Sequence, residues 1–510
     1  MRVWSSQSYR SRFISRIAVA TTPMLFLVLL PFALTAQIQQ SEYAARRAAL
    51  AKLLGNGIVV AIGSPEPEQD YIAFYQSSPF VYLTGFREPD AGLVFEVKNG
   101  QIVGTEKLFV QPSDPSREVW TGKRVGVKAV QPTLGLEGRD QGTLLKVLDS
   151  LLTRDSTATL HVIGDFEPRR AILSGTDQQI IELMKRHTHA TARSANAGVN
   201  QLRRVKSAAE LDLIRKAIAI TVDAERDAMR YIEPGQNEFE TQALIEYTFR
   251  RNGADRPSFS TIVGSGPNST TLHYNDDDRF FNANDVMVMD IGASYRGYSA
   301  DVTRTVPVSG KFSADQRAIY QTVRDVQAAG ERQAKLNAPG RMMADSANAA
   351  MNVGLAKLGL IESPGATYDC DTSASRQCSQ TFLYYMHGLG HGIGLDVHDP
   401  GAAAAGFGGS TLVLGSAFTI EPGIYVRGNL LDIIPATPRN KAMIEHIRPA
   451  VERFKNIGVR IEDDYIMTDK GVEWISKAPR EIDEIEAVMR EPWNGPSPRD
   501  TTKINWYREK

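Results

Sequence analysis

The sequence predicts an α+β body behind a smaller α/β domain, and three observations carry that prediction. Capped amphipathic helix patterns cluster between residues 207 and 358 instead of alternating regularly with strands. Apolar runs after residue 285 end in carboxylates or lie beside histidines. Before about residue 200, short β-like runs alternate with helical ones. With 510 residues, 42% hydrophobic and 23% charged, the chain has material for two or three domains. Its 2 Cys, 41 Gly and 25 Pro exclude a disulfide-stapled, collagen-like or mostly disordered chain.

The elements follow in order. Residues 1–36 read as a secretory signal peptide: Arg2, Arg10, Arg12 and Arg16, then an apolar stretch from Ile17 to Leu34 and small residues near Ala36. An uncleaved membrane anchor is the alternative, although Pro23 and Pro31 interrupt a run already marginal for ~30 Å of hydrocarbon. No later run is long and apolar enough to span, so no stable membrane span is expected after processing. The formal charge of −1 moves to about −5 without those four arginines, with no basic field that would favour nucleic acid.

Residues 37–200 form the expected N-terminal α/β domain. It has a helix at 41–54, β-like runs at 57–62, 80–83, 93–97 and 107–110, and helical stretches near 140–153 and 176–187. Residues 201–475 form the larger domain. Ser207 to Glu210 is a capping box followed by apolar positions at Leu211, Ile214, Ile218, Val222 and Met229. Asn237 and Ser313 open two more helices, and a fourth covers roughly 343–358. Strand-like runs fall at 285–292, 412–414, 417–421 and 459–462. Residues 476–510, charged and proline-containing, read as a peripheral tail. Cys370 and Cys378 could close a small loop in an oxidising compartment or remain free thiols; their spacing suits no thiolate metal site.

The chemistry-bearing residues come late. Asp290 ends an apolar strand, and Asp301 follows across a Gly297-containing turn, so a hairpin would bring both acids together, where a divalent cation relieves their repulsion. Three of eight histidines, His387, His391 and His398, share a glycine-rich dozen residues. Glu421 and Glu462 each end a further apolar run. Four acids and one imidazole make a hard ligand set that suits Mn²⁺, Co²⁺ or Zn²⁺, and four carboxylates can hold two ions by bridging.

The order of these motifs resembles the pita-bread metallopeptidases, specifically the Xaa-Pro aminopeptidases (aminopeptidase P) and the related Xaa-Pro dipeptidases. The likeness covers residues 41–475 and includes Tyr82-Leu-Thr-Gly-Phe-Arg-Glu-Pro-Asp90 of that family's first domain. It implies a pita-bread catalytic domain with two divalent metal ions, Mn²⁺ favoured, held by Asp290, Asp301, His391, Glu421 and Glu462. Glu421 would shuttle the proton of a metal-bridging hydroxide. His273 and His398 would contact substrate and the tetrahedral intermediate, Arg460 would support the site, and His387 and Tyr425 would line it. The implied substrates are peptides with proline at the second position, cut at the Xaa-Pro bond. An Xaa-Pro dipeptidase (prolidase) and a metal-free peptide-binding pita-bread scaffold are the alternatives. The family often assembles as a homodimer or homotetramer, and the leader implies a periplasmic or extracellular location. The 40 residues between Glu421 and Glu462 exceed the spacing expected of the compact bacterial pattern, so 426–456 reads as a solvated insertion or a lid.

Overall fold

The computed structural model describes residues 38–69, 71–400, 411–496 and 498; the expected signal peptide, 1–36, lies outside the described residues. A six-stranded sheet organises the N-terminal part. Its strands are β1 (Gly57–Ile62), β2 (Gly92–Lys98), β3 (Gln101–Val110), β4 (Glu137–Asp140), β5 (Thr159–Ile163) and β6 (Thr191–Ser194). Their order is β4-β3-β2-β1-β5-β6. β1, β2 and β3 pair antiparallel, while β4, β5 and β6 join in parallel. Alternation of side chains along each strand separates two cores. Ile58, Val60, Val94 and Phe109 pack with Leu148, Leu152 and Ile180 of the helices Leu144–Arg154 and Gly175–Arg186. Val59, Ala61, Leu93 and Phe95 face the other way, into the main core.

The run 80–83, expected as a strand, lies in the helix Ser78–Thr84. Pro79 occupies its first turn and Gly85 closes it at φ 69°, the proline-first, glycine-last signature of a helix. The boundary expected at 200 cuts the helix Asn196–Arg203, so the junction lies a few residues later.

The larger part begins with helix Ala208–Tyr231, whose capping box forms as expected. Six short strands follow: β7 (Arg256–Pro257), β8 (Ile262–Ser265), β9 (Val286–Ile291), β10 (Ala293–Tyr295), β11 (Tyr298–Ser299) and β12 (Val302–Pro307). They make the sheets β12-β9-β8 and β11-β10-β7. A two-residue turn at Arg296 (φ 51°) and Gly297 (φ 80°) links β10 to β11, matching the twist of tight hairpins. Later come the hairpin β13 (Thr367–Asp369) and β14 (Gln377–Ser379), then β15 (Ala417–Ile420), β16 (Gly423–Tyr425), β17 (Gly458–Arg460), β18 (Asp463–Thr468) and β19 (Gly471–Trp474). These form β15-β18-β19 and β16-β17. Helices Ala208–Tyr231, Ala314–Glu331 and Arg341–Lys357 bury their apolar faces in the same core as these strands. Residues 412–414 form no strand; Ser416 turns the chain there by accepting the Val413 N–H.

Two further expectations change. Residues 426–456 are no solvated insertion: helix Pro438–Phe454 buries Met443, Ile447, Val451 and Phe454, one face at helical spacing. The stretch from 476 is not peripheral up to residue 489. Buried Arg304 donates to the carbonyls of Pro479 and Ala478, Arg480 pairs with Asp463, and Ile485 of helix Ile482–Met489 is in the core. Cys370 and Cys378 are joined by a disulfide across the β13–β14 hairpin. Among the described residues no helix is long and apolar enough to cross a membrane.

Candidate metal centre and active site

β9 and β12 pair so that Asp290 lies opposite Thr303. Asp301, two residues before Thr303, therefore shares Asp290's face of the hairpin. A bridge between Thr303 and Glu462 adds a third chain segment: the Glu462 N–H donates to Thr303 O at 3.0 Å, and Thr303 Oγ1 donates to Glu462 Oε2 at 2.7 Å. The fourth segment is the glycine-rich 388–392 run, which pairs with the strand leading to Glu421. Thr419 N bonds His391 O at 2.8 Å, and Glu421 N bonds Leu389 O at 2.8 Å.

These segments converge on His391. Its Nε2 lies 3.4 Å from Asp301 Oδ2, 3.3 Å from Glu421 Oε1 and 3.8 Å from Glu462 Oε1. Ligand atoms of Asp301, His391 and Glu462 all fall within 4.8 Å of one another. Among the described residues, Asp290 Oδ1, Asp301 Oδ1 and Glu462 Oε1 are buried without a hydrogen-bond partner, a costly state for carboxylate oxygens that a cation relieves. Burial, reinforced by the neighbouring acids, pushes the Asp301 and Glu462 carboxyls well above their ordinary range; burial also raises Glu421, against the pull of His391. This donor set fits divalent metal.

Arg460 braces the opposite side. It donates to Asp290 Oδ2 at 2.5 Å, to Tyr425 Oη at 3.0 Å and to Thr303 Oγ1 at 3.3 Å. Tyr425 Oη in turn lies 2.9 Å from His387 Nε2. Burial pushes the His387 imidazole down to about 3, helped by the Arg460 charge. His398 is lowered as well, by burial and by His391, whose ring lies 4.1 Å away.

A cavity of about 490 Å³ opens over this cluster. His273, Asp290, Asp301, His387, His391, His398, Glu421, Arg460 and Glu462 all line it. Tyr425, expected as a lining residue, does not: it is fully buried and reaches the site through Arg460 and His387. Sequence reasoning missed Thr303 and Thr419, which orient Glu462, Arg460 and Glu421. Their one signal is position, each two residues from a candidate ligand on the same strand face.

A family model, metallopeptidase family M24, matches residues 212–469, and a second, the aminopeptidase P N-terminal domain, matches residues 43–161. The Xaa-Pro aminopeptidase of Haemophilus influenzae is 32% identical over 472 residues, covering 89% of this chain and 98% of that protein. The Xaa-Pro aminopeptidase of Escherichia coli K12 is 30% identical at the same coverage. Among solved structures, Pseudomonas aeruginosa aminopeptidase PepP superposes with TM-score 0.73 at 29% identity, covering 89% of this chain and 98% of that one. An Escherichia coli aminopeptidase P variant in complex with substrate gives 0.72 at 28% identity and the same coverage. The chain belongs to metallopeptidase family M24 and is a metallo-exopeptidase, with the pita-bread body and N-terminal domain of aminopeptidase P. That family implies divalent metal ions.

Proposed function

We propose that this chain is an exported Xaa-Pro aminopeptidase that removes the first residue from peptides with proline second. The observation that carries this reading is the convergence of Asp290, Asp301, His391, Glu421 and Glu462 on one cavity, with buried carboxylate oxygens left unpaired. Similarity to Xaa-Pro aminopeptidases along nearly their whole length supports the substrate class. Residues 1–36 act as the signal peptide, and assembly is a homodimer or homotetramer.

Asp290, Asp301 and Glu462 would hold one ion, and Asp301, Glu462, His391 and Glu421 the other, with Mn²⁺ the favoured metal. Two such ions supply an acidified water and polarise the scissile carbonyl. The chain's own groups do the rest. Glu421 Oε1 is engaged by Thr419, which leaves Oε2 to take the proton of the attacking water and return it to the leaving proline nitrogen. His398, held neutral at the cavity wall, donates from its ring N–H to the developing oxyanion. Arg460 pairs with Asp290 and orients it, and Thr303 fixes both Arg460 and Glu462. His273, an exposed residue of the cavity lining, is a second substrate contact.

The test compares an Xaa-Pro-Xaa tripeptide with an Xaa-Pro dipeptide, before and after metal stripping and Mn²⁺ readdition. Tripeptide cleavage that is lost on stripping and restored by Mn²⁺ is expected. Cleavage of the dipeptide alone identifies a dipeptidase instead, and metal-independent cleavage removes the mechanism.

A further inference from the structure

We propose that Arg203 and Lys206, at the junction between the two parts of the chain, are positioning residues that aim His398 into the active site. The proposal rests on the reading of His398 given above. Among the described residues the His398 imidazole makes no hydrogen bond; its ring is exposed in the cavity beside His391. Its direction is therefore set by the backbone on either side. That backbone is pinned by the two acids that bracket it, Asp396 and Asp399.

Arg203, the last residue of helix Asn196–Arg203, spans both: Nη2 donates to Asp396 Oδ2 at 2.7 Å and to Asp399 Oδ2 at 3.0 Å. Lys206 Nζ approaches Asp399 Oδ1 at 3.6 Å. Arg203, Lys206 and Asp399 are all buried. The backbone closes the loop around them, with Asp399 N donating to Gly392 O at 2.9 Å and Gly394 N to Asp396 O at 3.0 Å. Gly394 shows how tight the seat is: a Cβ there would stand 2.2 Å from Asp399 Oδ2. Ser78 Oγ adds a bond to Asp396 Oδ1 at 2.5 Å from the N-terminal helix Ser78–Thr84. A buried, hydrogen-bonded guanidinium gives two carboxylates a fixed geometry that solvated pairs do not. The junction thereby holds the His398 loop from beneath, with no group of its own in the cavity.

The experiment measures kcat, KM and bound metal for the Mn²⁺-loaded enzyme on an Xaa-Pro-Xaa tripeptide. Lys206→Met and Arg203→Met are made singly and again in a His398→Ala background. In the parent each is expected to lower kcat about 10-fold or more with KM within about twofold and metal content unchanged, an effect of transition-state contacts alone. In the His398→Ala background the same changes should cost less than about twofold, because residues acting through one group are not additive. Equal cost in both backgrounds, or loss of metal, overturns the proposal while leaving His398 its role. Full kcat in His398→Ala alone removes the role of His398 and the proposal with it. Lys206→Met carries the test if Arg203→Met does not fold, since it removes only the 3.6 Å ion pair with Asp399 and leaves both Arg203 bonds in place.

Discussion

Asp277 lies four residues after His273, buried, with Oδ1 accepting the Val263 N–H at 2.9 Å and Oδ2 without a partner among the described residues. Burial, together with the charges of Glu238, Glu246 and Asp276, pushes its carboxyl up to about 7. An unfolded aspartate titrates near 3.9. The folded state therefore binds the extra proton between those values, and stability falls as pH rises from about 4 to about 7, then levels. Asp277→Asn should remove that slope, gaining on the order of 1–2 kcal/mol at pH 8 after allowance for solvent screening. Urea titrations of parent and variant at pH 5 and pH 8 check this; parallel slopes in the two proteins would sink it. In the sequence, Asp277 is the middle of an Asp-Asp-Asp run that reads as solvated. By contrast Asp290, Asp301, Glu421 and Glu462 were legible there, because each sits where an apolar run should have continued. A carboxylate's burial in a loop leaves no such periodic trace, which is why Asp277 and Asp399 escaped notice.

At the scale of elements, the disulfide-closed hairpin and the 426–456 stretch brace each other. Asp369, at the end of β13, accepts from Thr437 Oγ1 at 2.6 Å, and its N–H donates to Asn440 Oδ1 at 3.0 Å. Asn440 Nδ2 donates to Asp369 O and Pro435 O. The cap of helix Pro438–Phe454 is thus also the dock for the disulfide-closed hairpin. Asn440→Ala strands a buried N–H and two carbonyls, and should cost about 2–3 kcal/mol. Breaking the disulfide with Cys370→Ser and Cys378→Ser should cost a similar amount, about 2–3 kcal/mol for so short a loop. The two losses should be less than additive, because one dock is involved; fully additive shifts in the denaturant midpoint would show that hairpin and helix are independent. The helices that carry capping boxes at Ser207, Asn237 and Ser313 were readable from sequence because cap and apolar stripe agree. The run 80–83 was not, since four apolar residues fit either period and only Pro79 and Gly85 decide. Nor was helix Pro438–Phe454, whose four Lys and Arg residues hid a regular buried face.

Over the whole molecule, one charge cluster sets the balance. Strands from four separate segments, 172 residues apart at the extremes (Asp290 to Glu462), are held together at their ends by acids that repel one another. Around that cluster the tail segment contributes Arg480 and the carbonyls that seat Arg304, and both arginines neutralise Asp463 next to Glu462. Among the described residues no Lys or Arg performs that service for Asp301, which has His391 as its nearest basic neighbour. Metal must therefore stabilise this fold, by about 2.7 kcal/mol at a free concentration one hundred times its Kd. Asp301→Asn separates the two effects. It removes one of the repelling charges, so the metal-free variant should melt above the metal-free parent. It also removes a proposed ligand, so added Mn²⁺ should raise the Tm of the parent and leave that of the variant nearly unmoved, with activity abolished. The stability order of the two proteins then reverses between chelator and excess Mn²⁺. If metal-free Asp301→Asn melts below the metal-free parent, the carboxylates are not in conflict, and the account of the cluster as a preformed cation site is wrong.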